Sequence, residues 1–151
     1  MKVAVGFDHR GVRLRETVLT ALADQGLDVV DLGVETDETR VDYPDVARDV
    51  GMAIRSGQAE RGILVCGSGV GASIAARMPG IFDAAICHDP YSAAQGVEHD
   101  DMNVLCLGSE VIGPSLAYEL VKRFLDASFI GEGRYLERLE KVEELEKLVD
   151  G

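Results

Sequence analysis

Five short apolar runs recur along this chain: KVAVGF at 2–7, LDVVDLG at 27–33, GILVC at 62–66, AAIC at 84–87 and VLCLG at 104–108. Most are continuous rather than alternating. A strand with one wet face alternates, whereas a strand covered on both faces need not, so these runs predict a parallel sheet with helices on either side. The stretches between them carry the helical period. Leu14, Val18, Ala21 and Leu22 form one stripe, and Val46, Val50, Ala53 and Ile54 form a second, closed by Gly57. A third helix is predicted from Val70 to Met78, stopped by Pro79-Gly80. Asp89-Pro90 reads as an N-cap followed by proline at the first helical position, and Gly113-Pro114 opens a further helix. The β-α alternation predicts an α/β fold, a three-layer sandwich around a five-stranded parallel sheet. No repeat interrupts it, and 151 residues suit a single domain spanning 1–151.

The tail is different. In RYLERLEKVEELEKLVD, residues 134–150, one broad stripe holds Leu136, Leu139, Val142, Leu145, Leu148 and Val149. It completes no βαβ unit. This C-terminal amphipathic helix either packs on its own domain or is an arm that buries its stripe on a second subunit.

Charge narrows the partners. With 15 Lys and Arg against 27 Asp and Glu, the net charge is −12, which argues against nucleic acid. An anionic ligand would need the few cations gathered where it binds. No apolar run approaches the roughly 18 residues of a membrane span. MKVAVGFDHRG lacks the apolar stretch of a signal peptide, so no membrane association is expected. Cys66, Cys87 and Cys106 fall one to a strand run, which fits neither a disulfide framework nor a metal site. The expected compartment is the reducing cytoplasm.

In open parallel sheets, ligands bind beyond the carboxyl ends of the strands. The first strand delivers Asp8-His9 there, the third Cys66-Gly67-Ser68-Gly69, and the fourth His88-Asp89. The following helix ends in Glu98-His99-Asp100, and all three histidines are assigned to these edges. No Lys-Ser/Thr follows the glycines, so the turn is not a P-loop. GSGVGA satisfies the dinucleotide pattern GxGxxG/A but follows the third strand rather than the first, which makes that reading the weaker one. What is left is a nest for an oxyanion with Cys66 beside it. Cys87 and Cys106, inside strand runs, read as core. Arg134, Arg138 and Lys141 share one helical face and could clamp a phosphate, although the glutamates of ERLEKVEELE offer them ordinary i,i+4 partners.

GFDHRG, DYPD, GILVCGSGVGASIAA, DPYSA and EHDDMNVLCLGS, in that order, resemble segments of the type B ribose-5-phosphate isomerases. That group also contains the galactose-6-phosphate isomerase subunits. The likeness spans essentially the whole chain. It implies a Rossmann-like sandwich, a small sugar phosphate as substrate, no metal or other cofactor, and a homodimer or dimer of dimers with sites at the subunit interface. It implies that Cys66 shuttles a proton between C1 and C2 through a cis-enediolate whose charge is held by amides of the Gly67, Gly69 and Gly71 turn. Ser68 would help at the sugar ring, and His99, with Asp8 nearby, would open it. His9, Arg134 and Arg138 would contact phosphate, the arginines from the partner subunit, and Tyr43 would line the site. Two positions depart from the family pattern. Asp100 stands in the substrate site where the family usually has an asparagine, and Glu110 stands where it often has a phosphate-binding arginine. Arg10, directly after His9, is the candidate replacement. The resemblance therefore implies an aldose–ketose isomerase of ribose 5-phosphate and ribulose 5-phosphate. The alternatives are the same chemistry on another C4–C6 sugar phosphate or sugar acid, or a non-catalytic nucleotide-binding module.

Overall fold

Each predicted run forms a strand. The computed structural model describes residues 1–78, 81 and 83–148. In it, β1 (Lys2–Phe7), β2 (Asp28–Asp31), β3 (Arg61–Cys66), β4 (Ala84–Ile86) and β5 (Val104–Gly108) pair in one parallel sheet, in the order β2-β1-β3-β5-β4. The helices are α1 (Arg15–Asp24), α2 (Tyr43–Arg55), α3 (Val70–Ala75), α4 (Pro90–Asp100), α5 (Pro114–Asp126) and α6 (Gly133–Lys147). A 3-10 turn at Gly11–Leu14 joins β1 to α1. The helix predicted to Met78 ends at Ala75, and its proposed stop, Pro79-Gly80, lies outside the described residues, as does Val149 of the tail stripe. Asp89 does cap α4, its carboxylate accepting the Ser92 N–H at 2.7 Å.

The continuous apolar runs conceal an alternation in size. Val3, Val5, Phe7, Ile63, Val65, Leu105 and Leu107 fill one core, with residues of α1, α4 and α5. Ala4, Leu64, Cys66, Val104 and Cys106 fill the other, with α2 and α3. On that second face Gly6 and Gly62 let α2 come close: a methyl on Gly6 would stand 2.5 Å from Val46 Cγ1, and one on Gly62 2.7 Å from Val50 Cγ1. Both cores make the sheet the middle layer of a three-layer α/β sandwich.

The strand order sets the site. From β1 the chain goes to β2 on one side, then crosses to β3 on the other. The carboxyl ends of β1 and β3 therefore flank a topological switch point, where the helices leave to opposite faces and a crevice opens.

The tail helix α6 has no buried residue. Leu136, Val142, Leu145 and Leu148 are all exposed, so the stripe is not covered by its own chain. Its inner edge meets α4 and faces a cavity of about 290 Å³ lined by Asp83, Asp101, Leu139, Val142, Glu143 and Glu146. Burial first, then repulsion from Glu146, Asp100, Asp101 and Glu143, pushes the Asp83 carboxyl up to about 6. Folding thus favours its protonated form, and stability falls as pH rises from about 4 through about 6. Asp83→Asn should raise the melting temperature at pH 7, and the gain should shrink toward pH 4. A gain that does not vary with pH in thermal melts would contradict this account.

Candidate active site

Cys66 is the last residue of β3, paired with Gly108 of β5. Its thiol is buried, and the Gly69 N–H donates to Sγ at 3.1 Å, which fixes where the sulfur points. Gly69 makes this contact from a left-handed conformation, φ +82°, that a side chain would strain. Ser68 is exposed and its hydroxyl accepts the Val70 N–H at 3.2 Å. The β5–α5 loop supports the turn from behind: Ser109 N–H donates to Cys66 O and Glu110 N–H to Gly67 O, both at 2.9 Å.

Two side chains lie against this turn through its glycines. A methyl on Gly67 would stand 2.6 Å from the Arg10 guanidinium carbon, and one on Gly71 2.8 Å from Tyr43 Cζ. Tyr43 reaches Gly71 from the first turn of α2. Arg10 reaches Gly67 because the segment after β1 is pinned across the end of β3. Asp8, 5% exposed, accepts the N–H of Arg10 at 2.9 Å and of Gly11 at 2.8 Å on one carboxylate oxygen. Gly11 in turn sits on the Val65 carbonyl, where a methyl would come within 2.0 Å of the oxygen. His9 is held on the loop before α2: its Nδ1 lies 3.2 Å from Val41 O and 3.3 Å from Val41 N, which leaves Nε2 for another partner. Asp8, His9, Arg10, Tyr43 and the Cys66–Gly71 turn thus share one edge of the sheet.

His88 stands at that edge too, but as a brace. Its Nε2 accepts the Gly108 N–H at 3.0 Å, which requires a neutral ring, and burial lowers its pKa in the same sense.

His99 is not at this edge, and the structure separates it from Asp8. Helix α4 leaves the carboxyl end of β4 and returns to the start of β5, so its last turn, with His99 and Asp100, lies by the amino ends of the strands. Since Val104 pairs with Gly62 and Gly108 with Cys66, roughly 13 Å of strand divides the two edges. His99 instead packs on Tyr135, ring centroids 4.6 Å apart, and Tyr135 OH accepts from Arg134 at 2.9 Å. Arg138 follows one turn later on α6 and is exposed. His99, Asp100, Arg134, Tyr135 and Arg138 make a second constellation at the opposite edge. Tyr135 was not singled out in the sequence because it lies between the stripe and the arginines. Ser109 left no signal beyond its place after a strand.

The match to known proteins is extensive. Residues 3–142 fit the Ribose/Galactose Isomerase family. This chain belongs to the ribose/galactose isomerase family. It is 40% identical over 146 residues to the ribose-5-phosphate isomerase B of Escherichia coli K12, covering 97% of each chain. It is 39% identical over 133 residues to the D-erythrulose-4-phosphate isomerase of Pectobacterium atrosepticum, covering 88% of each. The ribose-5-phosphate isomerase B structure from Clostridium thermocellum superimposes with a TM-score of 0.90 at 42% identity, over 99% of both chains.

Among the three thiols of this ribose/galactose isomerase family member, only Cys66 closes a glycine turn. Burial pushes Cys87 up to about 11 and Cys106 further still, so both stay protonated at neutral pH. Cys106→Ala should therefore act on packing alone. Loss of its buried sulfur should cost about 1–2 kcal/mol, and thermal unfolding should register a melting point lower by roughly 2–8 °C.

Proposed function

We propose that this chain is an aldose–ketose isomerase of a small sugar phosphate, with ribose 5-phosphate and ribulose 5-phosphate as the leading pair. We further propose that its active site is assembled from two copies of the chain. One observation carries the second part. Cys66 and His99 lie at opposite edges of one sheet, while α6, next to His99, leaves its apolar stripe uncovered. A second copy that buries the stripe could bring His99, Arg134 and Arg138 of one chain to the Cys66 edge of the other. The same contact would stabilise the assembly by removing exposed apolar surface from water.

In this reading the Cys66 thiolate takes the proton from C2 of the open-chain aldose and returns it to C1. The intermediate is a cis-enediolate. Its negative charge falls beside backbone N–H groups of the Gly67–Gly71 turn, which are rigid and so need no reorganisation as charge develops. Ser68, exposed at the turn, faces the sugar. His99 of the partner opens the ring. Asp8 acts in this scheme by holding the turn that carries His9 and Arg10, and the bonds at its carboxylate fit that role better than proton transfer to the ring. His9, with the partner's two arginines, holds the phosphate. The 39% likeness to a four-carbon sugar phosphate isomerase keeps C4 substrates in the test panel beside C5 and C6.

An isomerisation assay over C4–C6 aldose and ketose phosphates tests the activity. Cys66→Ala should lower kcat by at least the 10²- to 10⁴-fold typical of a lost acid–base group while leaving ligand binding in place. Near-normal turnover would make Cys66 a packing residue. The shared site has its own test. Cys66→Ala and the double variant Arg134→Ala/Arg138→Ala should each be inactive alone. Mixed under conditions of demonstrated subunit exchange, they should regain activity, because a mixed dimer carries one intact site. No recovery after exchange would confine each site to one chain.

A further inference from the structure

We infer that Arg10 is a phosphate-binding residue of this site, supplied on the thiol's own side of it. For the identity of the anion this rests on the isomerase reading above; for the existence of an anion site it does not.

The geometry begins with the backbone. Arg10 is fixed on both sides, its N–H donating to Asp8 Oδ1 at 2.9 Å and its carbonyl accepting from Ser109 Oγ at 2.7 Å. From that anchored position the guanidinium extends onto Gly67, next in sequence to Cys66, with Cζ 2.6 Å and Nε and Nη1 2.8 Å from where a Gly67 methyl would stand. This places a cation in the crevice between β1 and β3. The residue is exposed, so the fork is open to a ligand.

Its charge is also unspent. Among the described residues no carboxylate lies within ion-pair distance of it. Arg13, Arg15 and Arg48 each have such a partner, and Arg61 donates to the carbonyls of Phe124 and Ala127. The nearest competitor by topology is Glu110, whose N–H already donates to Gly67 O. Its carboxylate is taken by Arg13 at 3.1 Å, away from Arg10. The one acid of that loop is thus turned toward Arg13 in an exposed pair and is not an ion-pair partner of Arg10. In a chain of net charge −12, a guanidinium on an anchored backbone, with no carboxylate partner among the described residues and set against a glycine turn, is suited to a ligand's anionic group. A guanidinium fork matches the oxygens of a phosphate in a bidentate contact. His9, its neighbour, adds a free ring nitrogen on the same segment.

Titration calorimetry of inorganic phosphate into the full-length protein at low salt reads the contact without any turnover. Arg10→Gln should weaken phosphate binding at least tenfold with an unchanged melting temperature, and Arg10→Lys should recover only part of it. Gly67→Ala gives an independent arm. Gly67 has no positive φ, and the three atoms nearest its added methyl all belong to the movable end of Arg10, so the variant should fold and yet displace the guanidinium. It too should weaken phosphate. Arg55→Gln, at the far end of α2, should not. With ribose 5-phosphate, Arg10→Gln should raise KM by a similar factor and change kcat less than about threefold. Unchanged phosphate affinity in Arg10→Gln overturns the inference, whether or not the enzyme isomerises sugars. A fall in kcat with unchanged KM and phosphate affinity also overturns it, by moving Arg10 to the reacting oxygens. If phosphate binding is lost in Arg10→Gln while the unmodified protein isomerises no sugar phosphate, the isomerase reading fails and the Arg10 site stands.

Discussion

One buried carboxylate organises the candidate site. Asp8 gathers the N–H groups of Arg10 and Gly11, and so folds the chain over the end of β3 as it leaves β1. Without that acceptor, the buried Gly11 amide would be left unpaired next to the core, at about 1–3 kcal/mol, and the part-buried Arg10 amide would lose its partner. The turn could not then lie on the Val65 carbonyl, where only a glycine fits. Placement of His9 and Arg10 at the carboxyl edge, and of Arg10 against Gly67, depends on it. Ser109 completes the arrangement by tying Arg10 O to the β5 loop, which also holds Cys66 O. Three strands are thereby joined at one edge by hydrogen bonds rather than by apolar contact.

Much of this was legible in the sequence. The runs of β1, β3 and β5 became the central strands because a doubly covered strand must be apolar throughout, whereas β2 and β4, expected to be covered in the same way, form the sheet's partly exposed edges. Strand order was not legible. Val5 and Ile63 carry no mark that says they will be neighbours, so the switch point between β1 and β3 emerged only with the fold. His99 shows a second limit. Its place after the fourth strand suggested the ligand edge, but an 11-residue helix rising 1.5 Å per residue carries the chain back across the sheet. Motif order alone does not record that reversal. The glycines of the Cys66 turn show the opposite case. Their turn reads as a nest for an anion, and the structure adds two side chains that lie against it: Arg10 at Gly67 and Tyr43 at Gly71.

The acidic composition takes on a local meaning in the folded chain. Asp83, Asp101, Glu143 and Glu146 converge under α6, so the tail is held to its own domain by little apolar contact and against charge repulsion. A helix so weakly attached gains more from a new apolar surface than one already packed. On the proposed reading, the same repulsion that loosens α6 at home favours its use between chains. These carboxylates gather at the amino edge of the sheet, while Arg10 lies at the carboxyl edge with no ion-pair partner among the described residues.

The two faces of the sheet also set how finely parts of the site can be positioned. On the α1–α5 face, large side chains such as Phe7 and Leu107 interlock and can trade volume among themselves. On the α2–α3 face, Gly6 and Gly62 bring sheet backbone against the Val46 and Val50 side chains, so at these contacts only the helix has a side chain to change. One face can therefore adjust from both partners of a contact and the other from one. Tyr43 stands at the start of the helix resting on these glycines, so the approach of its ring to Gly71 depends on Val46 and Val50 keeping their size. Sequence drift can reshape one half of this protein by paired exchanges, while the distance from α2 to the thiol turn answers to changes on α2 alone.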